Sequence, residues 1–180
     1  MRSISTSTGK YITVYDDYFS YYEKQNYFNF ILKSLYRVNG ADIAQSSMQT
    51  QIFSSYSYDD VKLMGIFDSP GFAKISKEHN FYVMNIAQVR VNLVTPFEKN
   101  IVHCDTNGVT FLYYCNLDWK LEYNGHTLFM NDDLTESEYT CLFKPGRVVV
   151  FDGTIPHMVM PPTTNECGHR FTFVIQYSKK

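Results

Sequence analysis

"FYVMNIAQVRVNLV", residues 81–94, is where the chain changes its pattern. Phe81, Val83, Ala87, Val89, Val91 and Leu93 fall on a period of two. Side chains alternate between the faces of a strand, so this stretch predicts one long strand from about residue 80. The period returns downstream. Val109 to Asn116 predicts a second strand and Thr127 to Met130 a short third. After the turn Lys144-Pro145-Gly146, "RVVVFD" (147–152) predicts a strong strand, and "RFTFVIQY" (170–177) predicts the last. The acidic "NDDLTESEY" (131–139) reads as a solvated loop, because it lacks the aspartate spacing and the glycine of a calcium loop.

Upstream the pattern is helical. Residues 14–36 predict a helix: Ser20 and Glu23 have capping-box spacing, and Tyr21, Phe28, Ile31, Leu32 and Leu35 recur on one face. Asn39-Gly40 stops it, and residues 41–57 are polar and ambiguous. Asp59 or Asp60 starts a short helix through Val61, Leu63, Met64 and Phe67, before a Ser69-Pro70-Gly71 turn. Met1 to Lys10 is rich in Ser and Thr and has no apolar core of a secretory signal, so it reads as a loose leader. Helices followed by strands define one α+β domain, mainly β. Its parts are a leader (1–10), a helical N-terminal support (11–79) and a barrel, sandwich or jelly-roll core (80–178).

Composition agrees. The 180 residues suffice for one domain with a real core, and fifteen Tyr with fourteen Phe favour β packing. A net charge of −2 gives no basic footprint, so nucleic acid is not expected as a partner. No apolar run reaches membrane-spanning length. Cysteines 104, 115, 141 and 167 form no C-x-x-C pair and read as reduced thiols of a cytoplasmic protein.

The chemistry gathers around "HCD". His103 and Asp105 are two apart, and on extended chain such residues project to the same side. Alone, the pair reads as a polar turn as readily as two ligands. His157, just past "RVVVFD" in "TIPHMV", supplies a third donor. Two histidines and a carboxylate make the facial set of non-haem Fe(II) oxygenases, whereas a structural zinc site is closed by four protein ligands. Arg170 opens the last strand, with Thr172 on the same face. Its planar fork suits a carboxylate, and the other reading is an edge ion pair.

The ordered set "HCDTNGVTFLYYCNLDW" (103–119), "NGHTLF" (124–129), "KPGRVVVFDGTIPHMV" (144–159) and "RFTFVIQY" (170–177) resembles the Fe(II)- and 2-oxoglutarate-dependent dioxygenases. Within them it is most similar to the prolyl-hydroxylase-like branch, in the compact stand-alone form carried by bacteria and bacteriophages. The resemblance covers roughly half the chain, Val89 to Tyr177; "ITVYDDYFSYYEKQNYFNFILKSL" (12–35) also looks like the family's opening strand and helix. It implies a double-stranded β-helix with N-terminal helices packed on one sheet. It implies His103, Asp105 and His157 as catalytic iron ligands. Arg170, Thr172 and Tyr114 match residues that bind the distal carboxylate of 2-oxoglutarate. Fe(II), 2-oxoglutarate and O2 are the implied cofactors, with ascorbate in support, and the outcome is hydroxylation with release of succinate and CO2. A peptide prolyl or small-molecule substrate follows, in the cytoplasm of a bacterial or phage-infected cell. The alternatives are a jelly roll that binds metal or small ligands without turnover, and a zinc hydrolase, for which no H-E-x-x-H motif is present.

Several residues depart from the pattern or stand beside it. Asn124-Gly125-His126 replaces the family's frequent Gly-Gly-Glu, and His126 reads as an exposed strand residue or, alternatively, a substrate contact. Tyr113 and Tyr114 must face opposite ways, and His169 faces away from Arg170. Cys104 reads as core filler, Asn116 and Trp119 as structural, and Thr106, Asn107 and Gly108 as the lip of the site. Substrate contacts are expected from the N-terminal third and from residues 93–102 and 131–142.

Overall fold

The computed structural model of the chain describes residues 1–40, 50–98, 100–105 and 107–179. β1 (Arg2–Ser5) and β2 (Tyr11–Tyr15) open the chain, followed by α1 (Tyr21–Leu32), β3 (Arg37–Gly40) and β4 (Thr50–Ser55). Two helices, α2 (Tyr58–Met64) and α3 (Pro70–Glu78), lead into β5 (Asn85–Val94) and β6 (Gly108–Tyr114). β7 (Thr127–Met130), β8 (Ser137–Cys141), β9 (Val148–Asp152), β10 (His157–Val159) and β11 (Arg170–Ser178) complete it. Eight strands form one sheet in the order β1-β2-β9-β6-β11-β5-β4-β3, and three form a second in the order β10-β7-β8. The fold is thus mainly β, with a large antiparallel sheet and three α-helices among the described residues.

Residue parity decides what each face meets. Val89 and Val91 of β5, Phe111 and Tyr113 of β6, and Phe171, Phe173 and Ile175 of β11 share a core with the helices, including Ile31, Val61 and Ile75. The alternate residues Leu112, Tyr114, Val149, Phe151 and Val174 pack toward the small sheet, against Phe129, Cys141 and Phe143. One period of two, read across paired strands, therefore builds both cores. Phe111 is fully buried, with ring centroids 5.3 Å from Phe72 and 6.3 Å from Phe81. Phe111→Ala is expected to cost about 3–5 kcal/mol, read from equilibrium urea unfolding.

The helix signals hold where side chains cap backbone. Ser20 and Glu23 form both halves of a capping box at α1, and Ser57 with Asp60 does the same at α2. The expected helix over 14–36 is shorter, because β2 runs to Tyr15 and α1 ends at Leu32. Asn39-Gly40 ends no helix but lies in β3, an edge strand too short and polar to show a period. The expected loose leader contains β1, paired with β2 from Arg2↔Val14 to Ser5↔Tyr11. Its pairing is made by backbone groups, which composition does not report. The N-terminal support accordingly supplies β2, β3 and β4 to the main sheet as well as helices. Ser69-Pro70-Gly71 starts α3 instead of closing a turn: Ser69 caps it and Pro70 takes the first helical position, where its missing N–H costs nothing. Phe81–Val83 is a 3-10 turn, so the long strand begins at Asn85. The acidic loop gives way to β8 at Ser137. The reading of 41–57 falls partly outside the described residues.

All four cysteines are free, as expected. No helix among the described residues is long and apolar enough to cross a membrane.

Candidate active site

His103 and His157 are locked together by backbone. The His103 N–H donates to the His157 carbonyl (2.9 Å), and the His157 N–H donates to the His103 carbonyl (2.8 Å). This places the two rings with centroids 4.5 Å apart. Asp105 is fixed next to them, its N–H donating to the Gly153 carbonyl at 2.8 Å. One ligand atom from each of His103, Asp105 and His157 then lies within 4.8 Å of the others.

The ligand atoms are also aimed. Nδ1 of His157 donates to the Ile155 carbonyl (2.9 Å), and Nδ1 of His103 to the Ile101 carbonyl (3.2 Å). A carbonyl only accepts, so Nδ1 is the donor in each ring and Nε2 is the nitrogen placed for a metal. Burial pushes the His157 pKa down against the opposing pull of Asp105, which favours the neutral, ligating form. The Asp105 carboxylate accepts from Gln176 Nε2 at Oδ1 and from Thr110 Oγ1 at Oδ2, both at 2.6 Å. The set can hold one divalent metal ion on one side and leave other coordination positions open. Partners that fix a ligand carboxylate typically govern metal affinity. Gln176→Leu is expected to weaken Mn(II) binding about 10- to 100-fold with the fold intact, as measured by titration calorimetry.

Arg170 is fully buried, and its described partners are all neutral. Nε donates to the Gly125 carbonyl at 2.6 Å, Nη2 to Thr127 Oγ1 at 3.3 Å and Nη1 to Thr172 Oγ1 at 3.5 Å. The guanidinium also lies over the rings of Tyr114 (5.3 Å) and Phe143 (5.2 Å). Gly125 is needed there: its φ is +80°, and a Cβ would stand 2.9 Å from the Trp119 ring. No described acid pairs with Arg170, so it is a buried cation among neutral partners. Burial accordingly pulls its pKa down.

A cavity of about 350 Å³ joins the two features; its lining includes His103, Asp105, His157, Thr127 and Thr172. Arg170 stands one layer behind that wall, reaching it through the two threonine hydroxyls. Tyr114 is behind it too, its hydroxyl donating to Thr127 Oγ1 at 2.8 Å. Tyr113 faces the helix-side core, as parity requires. Asn116 and Trp119 are structural: Asn116 donates to the His169 carbonyl and accepts from the Phe171 N–H, and Trp119 donates to the Asn124 carbonyl. His169 is exposed, away from Arg170.

Three expectations are corrected. Cys104 is exposed at the cavity rim, with Sγ 3.5 Å from the Thr154 carbonyl, and fills no core. His126 is half-buried, and its Nδ1 accepts from the Phe143 N–H, so it is a loop-fixing residue. The cavity takes lining from residues 93–101 and from Ile52 but none from 131–142. Of the expected lip, Asn107 is exposed and does not line the cavity, and Thr106 lies outside the described residues. Gly108 is required for another reason, since a Cβ would meet the Tyr177 carbonyl oxygen at 1.9 Å. Thr110, Thr127 and Gln176 were not anticipated. For Gln176 the signal is parity: a polar residue in step with Thr172 on "RFTFVIQY" faces the same cavity.

No protein-family model and no curated protein sequence matches the chain. Solved structures do. A 2OG-Fe(II) oxygenase family oxidoreductase from Burkholderia pseudomallei aligns at a TM-score of 0.69 and 11% identity, covering 94% of this chain and 85% of that one. A Pseudomonas putida prolyl-4-hydroxylase aligns at 0.63 and 13%, covering 94% and 92%. A Trichoplax adhaerens prolyl hydroxylase, solved with a hypoxia inducible factor oxygen degradation domain peptide, aligns at 0.65 and 16%, covering 92% and 82%. The fold is therefore that of the 2OG-Fe(II) oxygenases. Within that class it is shared with prolyl hydroxylases over nearly the whole chain.

Proposed function

We propose that this protein is an Fe(II)- and 2-oxoglutarate-dependent dioxygenase, a hydroxylase of the prolyl-hydroxylase-like type, acting on a peptide prolyl or small-molecule substrate. Its two facing sheets are read as the double-stranded β-helix of that class. The observation that carries the proposal is a His-Asp-His donor set on a cavity whose wall at Thr127 and Thr172 is backed by a buried arginine with no described acid beside it. A dicarboxylate cosubstrate needs a metal for its keto-acid end and a fixed cation for the other.

The donor chemistry fits the metal. His103 and His157 turn their Nε2 atoms away from the carbonyls that hold Nδ1, and Asp105 supplies a carboxylate held by Thr110 and Gln176. Iron, when bound there, supplies oxygen activation. The remaining work belongs to the chain. Arg170, with Thr127 and Thr172, binds and orients the distal carboxylate. Tyr114 holds Thr127 by donating to its oxygen, so the Thr127 proton is free to meet the ligand. Leu112, Phe151 and Val174 line the same cavity and exclude water from it.

The test supplies Fe(II), 2-oxoglutarate and ascorbate in air and measures succinate. Wild type is expected to release it, whereas His103→Ala and Arg170→Ala fall to background. A wild-type protein that binds neither metal nor 2-oxoglutarate without oxygen sinks the proposal. Binding without turnover across a substrate panel selects the non-catalytic alternative.

A further inference from the structure

We infer that the substrate carries a carboxylate, recognised by Arg90 on the cavity wall; this rests on the dioxygenase reading above. Arg90 lies on β5, opposite Val174 of β11 and Ser55 of β4. Its diagonal neighbours on β11 are Gln176, which holds Asp105, and Thr172, which meets Arg170. Diagonal pairs on a sheet are about 7–8 Å apart, so Arg90 stands one strand further out than the metal-holding and cosubstrate-holding rows, between them. It lines the same cavity as His103 and His157.

Its partners are what set it apart. Nε of Arg90 is buried with no hydrogen-bond partner among the described residues. Its guanidinium instead lies over the Phe53 ring, 5.0 Å from the centroid. An aromatic platform fixes the guanidinium while leaving its N–H edge free, which is how arginine presents a fork to an oxyanion. Asn100 lines the cavity too, and its Nδ2 is likewise buried without an acceptor. Two unfilled donor groups in one cavity lining call for acceptors from the ligand.

The charges agree. Asp105 acts on Arg90, but its carboxylate is held by Gln176 and Thr110 and would ligate the metal. A divalent ion, Asp105, the two carboxylates of 2-oxoglutarate and Arg170 would cancel, so the charge left to the cavity is that of Arg90 and Glu98, which are not paired with each other. Glu98, the other charged lining residue, spends its Oε2 on Thr95 N and Oγ1 (2.9 and 3.1 Å) and makes no ion pair with Arg90. A structural arginine would have an acceptor, and an apolar residue on Phe53 would serve packing better.

The experiment uses protein loaded with Mn(II) and 2-oxoglutarate in the absence of oxygen. N-acetyl-L-proline, N-acetyl-L-leucine and N-acetyl-L-glutamine are titrated by calorimetry beside their carboxamides and inorganic phosphate. At least one acid is expected to bind about tenfold or more tightly than its amide. That preference should vanish in Arg90→Gln and survive in part in Arg90→Lys, with thermal stability and 2-oxoglutarate affinity at wild-type levels. The inference is overturned if no acid outbinds its amide, if phosphate outbinds every acid, or if Arg90→Gln keeps the preference. It is also overturned if Arg90→Gln loses 2-oxoglutarate. Wild-type protein that fails to take up 2-oxoglutarate at the loading step rejects the dioxygenase reading instead, and the acid–amide comparison then runs on Mn(II)-loaded protein.

Discussion

Arg170→Met is expected to weaken 2-oxoglutarate binding by about 30-fold to several thousand-fold, and to leave the ligand-free protein as stable as wild type or more so. The two halves have one cause. Arg170 is 0% exposed, and no described acid meets it. Holding a cation there without a counter-charge costs several kcal/mol, and burial accordingly pulls its pKa down. Methionine keeps much of the stem against Tyr114 and Phe143 and removes that cost. It also removes the cation that hydrogen-bonds Thr127 and Thr172, the one proposed to receive the cosubstrate's distal carboxylate. Truncating one partner of a buried charged pair typically costs about 2–5 kcal/mol, which sets the range of affinity loss.

Calorimetric titration of 2-oxoglutarate into Mn(II)-loaded protein measures the first half, and urea unfolding of the ligand-free protein measures the second. Undiminished binding would remove Arg170 from the site. A large loss of stability would make the guanidinium a structural bridge between Gly125, Thr127 and Thr172. Arg170→Lys separates charge from shape, because an ammonium keeps the charge but cannot reach all three oxygens at once. An intermediate affinity is expected for it.

What could be read in the sequence follows from which interactions leave a period. β5, β6, β9 and β11 are central strands with both faces buried or half-buried, so their alternation is strong and their bounds came out within a few residues. β1 and β3 are edges of the large sheet, held by backbone pairing, and polar side chains hide them. β8 is masked in the same way by the acidic run before it. The three metal-ligand candidates were legible because chemistry restricts their residue types. Cys104 was misread because an i, i+2 argument fixes where its neighbours point and leaves open whether the opposite side is core or solvent. Gln176, Thr127 and Arg90 matter through contacts between strands far apart in sequence. Each was visible only as a polar residue at a buried parity, and strand order decides what such a residue meets.

His157→Ala and His103→Ala are expected to abolish turnover alike and to differ in stability. Both remove a donor from the same set, so succinate release and Mn(II) uptake should fall to background in each. The imidazole of His157 is 6% exposed, with centroids 4.9 Å from Phe151 and 5.9 Å from Phe129, and its Nδ1 satisfies the Ile155 carbonyl. Removing it opens a cavity in the core between the sheets and orphans a buried acceptor, at a cost of about 2–4 kcal/mol. His103 is exposed, and the strand pairing that positions it runs through its backbone, which alanine keeps. Its loss should leave the urea midpoint of the metal-free protein in place. The metal would therefore enter from the His103 side and seat against His157 and Asp105, which the fold already holds. Equal destabilisation by both substitutions would contradict this asymmetry. Turnover surviving in His103→Ala would remove it from the donor set.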